Sequence, residues 1–279
     1  MSKNFRILGV VPARGNSKRI PQKNLHPLGG KPLLQYTIEA LKSTPELANW
    51  VVSTESKEVA EVAQSLGAQV IFRPQELALD TVSTESVLIH VLDTLEKKGE
   101  VYEWVLTVPP TNPFRSHKTI ENFLNEFNKD PYAQDCLMTV TESRDDFWIL
   151  QKDGYLKRLF ENAPRRQQER EPLFEENSAL YLTSVKALLE TQSVLGKPEH
   201  DRAEPPEHLG ACGAIQGRGT DAERSRAELA ERPNDGNATK YKVRGICINP
   251  IEAFDINTLW DIKIAEVFLK TPTLLETGF

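Results

Sequence analysis

The sequence predicts an α/β fold, a mostly parallel sheet covered by helices on both faces. The apolar run Phe5–Val11 is continuous and ends at Pro12, which suits a strand buried on both sides. Short apolar runs then alternate with amphipathic segments as far as residue 140. The 279 residues, 39% hydrophobic and 27% charged, suffice for one large domain or two small ones with a real core.

Each element follows from its local pattern. Pro12 to Gly30 reads as a loop by its Pro, Gly and Asn content. Pro32 stands where a helix would begin, because its missing N–H costs nothing at the first helical position. Leu33, Leu34, Ile38 and Leu41 then follow helical spacing. Trp50–Thr54 is a second strand, Lys57–Leu66 a helix closed by Gly67, and Gln69–Phe72 a third strand. In Ser83–Lys97, Val87, Leu88, Val91, Leu92 and Leu95 share one helical face. Val101–Val108 is a fourth strand, broken by Pro109-Pro110. Lys118–Phe127 is a helix with Ile120, Phe123, Leu124 and Phe127 inward, and Cys136–Val140 a fifth strand. After residue 141 the rhythm changes. Trp148–Gln151 and Tyr155–Phe160 flank Lys152-Asp153-Gly154, a hairpin signal. Ala179–Leu182 and Val243–Asn249 read as strands, Val185–Glu190 and Thr258–Lys270 as helices.

Composition excludes several functions. No apolar run approaches the ~20 residues of a membrane span, and Ile7–Val11 is too short for a signal-peptide core. A cytoplasmic protein is expected, with neither a membrane nor a nucleic acid as partner. Three scattered cysteines, Cys136, Cys212 and Cys247, offer no disulfide scaffold and no Cys-x-x-Cys pair. A net charge of −6 argues against general nucleic-acid binding. That average hides a basic pole. Residues 1–38 carry seven bases and no acid, while the remainder carries 27 bases against 40 acids. Such a pole suggests a local anion site, the plainer alternative being a solvated basic surface.

Residues 197–242 break the pattern. Of these 46 residues, 17 are charged and nine are Gly or Pro, and Val, Phe, Met and Trp are absent. With so little to bury, the segment cannot offset ~1–2 kcal/mol per ordered backbone residue and reads as a protruding, mobile insertion. His200, His208 and Cys212 within it match no standard zinc spacing.

The strongest chemical signal is the loop from Pro12 to Asn24, which supplies Arg14, Lys18, Arg19 and Lys23. It is neither a Walker A loop nor a dinucleotide fingerprint, both of which hold phosphate mainly with backbone amides. Four cations balance most of a nucleoside triphosphate, and arginine adds bidentate geometry. Gly15 lets backbone approach a ligand closely. The loop follows the first strand, and in parallel sheets ligands bind beyond the carboxyl ends of strands.

Over residues 5–196 and 243–270 the chain resembles the CMP-sialic acid synthetases, or acylneuraminate cytidylyltransferases. The opening motif Val11-Pro12-Ala13-Arg14-Gly15-Asn16-Ser17-Lys18 with Lys23-Asn24 carries the resemblance. Gly30-Lys31-Pro32-Leu33, Ser53-Thr54, Arg73-Pro74-Gln75-Glu76-Leu77-Ala78 and Asp80-Thr81 add to it. So do Pro110-Thr111-Asn112-Pro113-Phe114-Arg115, Arg165-Arg166-Gln167, Asn177-Ser178-Ala179-Leu180-Tyr181 and Phe254-Asp255-Ile256-Asn257.

The resemblance implies a Rossmann-like three-layer α/β/α nucleotidyltransferase fold over residues 1–279, with a dimerisation hairpin at 143–170 and hence a homodimer. It implies transfer of CMP from CTP to the anomeric hydroxyl of a nonulosonic acid, releasing pyrophosphate, with Mg²⁺ as cofactor. Arg14, Lys18, Lys23 and Asp255 are then the catalytic candidates. Arg14, Ser17, Lys18, Asn24, Arg73, Thr81 and Thr84 fall at nucleotide-binding positions, although Thr84 would also serve as a helix N-cap and residue 81 as a turn residue. Arg115, Arg165, Arg166, Gln167 and Asn177 fall on the sugar side, where a carboxylate favours arginine. Asp255 and Asn257 are the metal candidates. Two departures stand out: Pro109 replaces a family glutamine that contacts substrate, and Asn257 replaces the second aspartate of the metal motif. Asn keeps an oxygen but loses a charge, which implies weaker Mg²⁺ binding. Asp261 reads as a solvent-facing helix residue. Related 2-keto sugar acids (legionaminic, pseudaminic or 3-deoxy-octulosonic acid) are alternative acceptors, and a catalytically idle nucleotide-binding homologue is the alternative of another class.

Overall fold

Strand β1 (Ile7–Pro12) lies within a seven-stranded sheet, as its unbroken apolar run demands. The computed structural model describes residues 5–47, 49–196 and 242–271. The expected insertion therefore lies outside the described residues, apart from Lys242. The other strands of the sheet are β4 (Asn49–Thr54), β5 (Gln69–Phe72), β6 (Trp104–Thr107), β7 (Cys136–Ser143), β10 (Leu173–Ser184) and β11 (Val243–Cys247). Their order is β11-β7-β10-β6-β1-β4-β5. β1 pairs parallel with β4 and β6, β4 with β5, and β11 with β7; β10 runs antiparallel to β6. Two small antiparallel ladders complete the strands: β2 (Pro27–Leu28) with β3 (Lys31–Pro32), and β8 (Trp148–Leu150) with β9 (Leu156–Arg158).

Helices α1 (Leu33–Lys42), α2 (Lys57–Ser65), α3 (Thr84–Glu96), α4 (His117–Lys129), α5 (Val185–Thr191) and α6 (Leu259–Lys270) supply the covering layers. Strand alternation sorts the core into two slabs. Val11, Val52 and Leu106 pack with Leu34, Ile38, Val59, Ile120 and Phe123 of α1, α2 and α4. Leu8, Val10, Val51 and Val105 pack with Leu88, Val91, Leu95 and Leu188 of α3 and α5. This is the three-layer α/β/α arrangement.

The chain divides into two compact units. The described residues of the first are 5–47, 49–141, 174–196 and 242–271; those of the second are 142–173. The second unit holds the expected hairpin. Gly154 has φ +85° at its tip, as an Asp-Gly turn requires. Arg158 Nε meets Asp146 at 2.8 Å and Arg170 Nε donates to Pro164 O at 2.8 Å, fixing the loop that follows.

Several elements differ from the sequence reading: β6 begins at Trp104 rather than Val101, and β7 runs on to Ser143 rather than ending at Val140. β10 spans 12 residues rather than four, because its first half is largely exposed and shows no alternation of apolar and polar residues. Pro32 is the N-cap of α1 rather than its first helical residue, which is Leu33.

A third core brings the distant C-terminal segment to the basic loop. Ile20 and Leu28 of the loop region, Leu33, and Ile256, Ile262 and Ala265 of the last helical region bury one another. Asn112 Nδ2 donates to Ala253 O at 3.0 Å, and Ile256 N–H donates to Thr111 O at 2.9 Å. The Pro-Thr-Asn-Pro motif thus clamps the segment carrying Asp255 and Asn257.

Candidate nucleotide site

Strands β1, β4, β5 and β6 end at Pro12, Thr54, Phe72 and Thr107, and the residues just beyond them build a cleft of about 390 Å³ in the first unit. Arg14, Lys23, Asn24 and Arg73 form its polar wall, with Ser83, Thr84 and Glu85 at the start of α3. Leu79, Val82, Pro109, Pro110, Tyr181 and Val194 supply apolar lining. The parallel-sheet rule placed an anion site here, and the cations are at that position.

The basic loop is held by its own side chains. Asn24 is buried and its Nδ2 donates to Arg14 O at 2.7 Å. Arg14 Nη1 and Lys18 Nζ both reach Asp80, at 2.5 and 2.8 Å. Hydrogen bonds from Lys18 and Arg14 hold the Asp80 carboxyl below the usual range. Asp80 occupies both cations as a phosphate would. Lys23 Nζ donates to Ile256 O at 2.6 Å and to Asn257 Oδ1 at 3.4 Å. Burial lowers the Lys23 pKa from that of a free lysine, and Asp255 partly opposes this.

Arg73 and Glu55 form a buried ion pair with side chains 3% and 6% exposed. Arg73 Nη2 and Nε donate to Glu55 Oε2 at 2.8 and 3.0 Å, while Gly15 N–H donates to Glu55 Oε1 at 2.7 Å. Burial lowers the Arg73 pKa and Glu55 opposes it.

The other expected residues lie as follows. Thr84 lines the cleft as the first residue of α3, and the cap of that helix is Ser83, not Thr84. Ser17 is half-buried and Thr81 exposed, and neither lines the cleft. Lys18 is exposed and reaches Asp80 from outside it. Arg165, Arg166 and Gln167 are exposed in the second unit, where Arg166 pairs with Glu169 at 3.2 Å. Asn177 does not stand free: Thr139 Oγ1 and Ala179 N–H donate to its Oδ1 at 2.7 and 3.2 Å, and its Nδ2 donates to Thr141 Oγ1 at 2.9 Å.

Arg115 departs most from the expectation of a sugar contact. It is 2% exposed, and its Nη1 donates to Pro109 O at 3.1 Å and Ala179 O at 2.8 Å. Its Nη2 donates to Thr37 Oγ1 at 3.0 Å. Burial pulls its pKa down to about 9, with Glu252 opposing. This arginine anchors the Pro109 loop to β10 from within the core.

Asp255 is not the cap of α6. Thr258 caps that helix and Asp261 completes a capping box, accepting from Asn257 N–H at 2.9 Å and Thr258 N–H at 2.7 Å. Asp261 is therefore a cap residue rather than a mere solvent-facing one. Asn257 Nδ2 donates to Asp255 Oδ2 at 2.5 Å, while Asp255 Oδ1 is buried without a partner among the described residues. That orphaned oxygen fits a divalent cation bound through one carboxylate and the ligand's own phosphates, whereas Asn257 turns its Nδ2 to Asp255 and its Oδ1 to Lys23. Among the described residues no group of three His, Cys, Asp or Glu side chains forms a closed metal cage.

The sequence reading assigned no role to Glu55, Asp80, Ser178 or Tyr181. Glu55 gave only one signal, an acidic residue at the carboxyl end of a parallel strand. Ser178 and Tyr181 line the cleft, and Ser178 holds φ +56°, a left-handed conformation that serine adopts at a cost. Tyr181 donates to Glu176, and burial raises its phenol pKa.

The profile of the family described as cytidylyltransferase matches residues 8–231. The CMP-N,N'-diacetyllegionaminic acid synthase of Legionella pneumophila is 33% identical over 70% of this chain and 84% of its own length. The N-acylneuraminate cytidylyltransferase of Escherichia coli is 30% identical over 69% of this chain, which spans 45% of that protein. Among solved structures, CMP:2-keto-3-deoxy-manno-octonic acid synthetase complexed with CTP superposes with a TM-score of 0.61 over 96% of this chain and 99% of that one. At 16% identity, that likeness supports the three-layer nucleotidyltransferase fold. Among the described residues no helix is long and apolar enough to cross a membrane. With its cations gathered beyond the ends of β1 and β5 and the family profile matching residues 8–231, the chain belongs to the cytidylyltransferase family and is a nucleotidyltransferase.

Proposed function

We propose that the protein transfers CMP from CTP to the anomeric hydroxyl of a nonulosonic acid. The observation that carries this reading is the cleft itself, where Arg14, Lys23 and Arg73 converge beyond parallel strand ends. The hydroxyl oxygen attacks the α-phosphorus, the P–O bond to the β-phosphate breaks, and pyrophosphate leaves. Arg14 and Lys23 bind the triphosphate and neutralise charge growing on the leaving group, the largest contribution expected in such reactions. Lys18 joins them once Asp80 is displaced. Asn24 fixes the loop backbone, and Arg73 and Thr84 bind the nucleoside end. Ser178 and Tyr181 face the sugar. Arg165, Arg166 and Gln167 of the second unit are exposed donors of the kind that a sugar carboxylate takes. Asp255 Oδ1 would hold Mg²⁺, which adds charge neutralisation at the phosphates. The exposed hairpin residues Trp148, Tyr155, Leu156 and Phe160 support a homodimer through the second unit. CTP is a cytoplasmic metabolite, which supports a cytoplasmic location.

A sialic-type acid is the first acceptor to test. N,N'-diacetyllegionaminic acid is the second, because the Legionella synthase matches this chain over most of both lengths. Apolar Pro109 and Val194 in the cleft suit an acceptor with fewer hydroxyls. Pyrophosphate release from CTP and Mg²⁺ should be measured with a panel of N-acylneuraminic, legionaminic, pseudaminic and 3-deoxy-octulosonic acids. Release with one of the nine-carbon acids is expected. CTP binding without release for any acceptor would make the protein an idle homologue.

A further inference from the structure

One buried carboxylate joins three strand ends. Glu55, directly after β4, accepts Gly15 N–H from the loop after β1 at 2.7 Å. Through its other oxygen it accepts Arg73 Nη2 and Nε, just after β5, at 2.8 and 3.0 Å. Arg73 N–H also donates to Thr54 O at 3.0 Å, so β4 and β5 stay in register up to the pair. The Gly15 amide sits beside Arg14, on the phosphate side of the cleft. Arg73 lines the cleft, and Glu55 engages its Nε and Nη2 but not its Nη1.

Resting on the CTP reading above, we propose that Glu55 is a positioning residue that locks the phosphate loop and Arg73 into one unit and so sets the distance between triphosphate and nucleoside recognition. Both oxygens are needed. Each faces donors only, so an amide at this position presents N–H to N–H on one side and breaks one link. The charge is needed too, because a buried guanidinium without its carboxylate is strongly disfavoured. Reach is the third requirement. The carboxylate must meet Gly15 and Arg73 at once, and one methylene less leaves one of them out of range.

The test uses Glu55→Gln and Glu55→Asp in the full chain. Binding of CTP, pyrophosphate and cytidine is measured separately by calorimetry, alongside KM for CTP and for the acceptor acid. The Gln variant should weaken CTP about tenfold or more, the size of one lost charge-assisted hydrogen bond. The Asp variant keeps the charge beside Arg73. It should weaken pyrophosphate more than cytidine if the Gly15 link is the one lost, with KM for the acceptor unchanged in both variants. A purely structural Glu55 would lower the unfolding temperature while leaving these constants at wild-type values, and that result overturns the proposal. If Glu55→Gln does not fold, the Asp variant alone decides by the same constants. A wild-type protein that binds no CTP overturns the CTP reading and this proposal together. Wild-type binding with unchanged Glu55 variants overturns only this one.

Discussion

Gly15→Ala tests the geometry of the phosphate loop most sharply. A Cβ at residue 15 would lie 2.5 Å from Ser56 Cβ, 3.1 Å from Ser56 Oγ and 3.4 Å from Glu55 Oε1. Optimal carbon–carbon separation is about 3.5–4.0 Å, so the loop must retreat by roughly one ångström. Ser56 cannot yield easily, since its Oγ caps α2 by accepting Val59 N–H at 3.2 Å. The retreat carries Arg14 with it and stretches the Gly15–Glu55 hydrogen bond. Misplacement by 1 Å typically costs about 10²-fold, or about 2.7 kcal/mol of transition-state stabilisation. Pyrophosphate release should therefore show kcat/KM for CTP about 100-fold lower, with a folded protein by circular dichroism. The remedy is equally specific. Ser56→Gly removes the colliding atom, and glycine replaces a serine cap at only a few tenths of a kcal/mol. The double variant should recover most of the lost activity. Wild-type kinetics in Gly15→Ala, or no recovery on adding Ser56→Gly, would refute the close approach as the reason for glycine here.

Four further outcomes are expected. Arg14→Ala should lower turnover by ~100-fold or more, the usual range for a lost charge-stabilising donor, and near-wild-type turnover would remove Arg14 from the chemistry. Asp80→Asn should lower KM for CTP by roughly two- to five-fold at low salt, because the competing carboxylate charge is gone; a higher KM would mean that Asp80 serves the ligand instead. Arg115→Ala should destabilise the fold by about 3 kcal/mol or more in denaturant unfolding, since it leaves Pro109 O, Ala179 O and Thr37 unpartnered. A stable Arg115→Ala with only a raised sugar KM would restore its sequence-based role. Lys23 has its pKa lowered by burial, so kcat/KM for CTP should fall as pH rises through a value below the ordinary ~10.4. Unfolding cannot be the cause through this group. Its folded pKa lies below the unfolded one, so in that window the unfolded chain binds more protons and stability rises with pH. Lys23→Arg should push the alkaline limb upward, and an unmoved limb would assign it to another group.

Much of the fold was legible because burial writes itself into periodicity. Gln69–Phe72 is a strand between the residues expected, and Val87, Leu88, Val91, Leu92 and Leu95 are the buried face of α3. The exposed first half of β10 was invisible for the same reason, since Leu173-Phe174-Glu175-Glu176 gives no alternation. Within the site, the basic loop was legible as charge, and Arg14, Lys23, Asn24, Arg73 and Thr84 line one cleft. What sequence could not give was partnership. Arg115 looks like a carboxylate ligand until three acceptors in the core are seen to use its donors. Glu55 looks like any surface acid until β1, β4 and β5 converge on it. Asp255 could be told from a helix cap only once Thr258 and Asp261 were seen to fill that role.

The central claim is transfer of the α-phosphoryl nucleoside to a sugar acid. It is tested most directly by incubating the protein with CTP labelled at the α-phosphorus, Mg²⁺ and a nonulosonic acid, and following the label by chromatography and mass spectrometry. The account predicts the label in a CMP-sugar conjugate formed one-for-one with pyrophosphate, and its near-loss in Arg14→Ala. Label that stays in CTP with every nonulosonic acid, or passes only to free CMP, would contradict it.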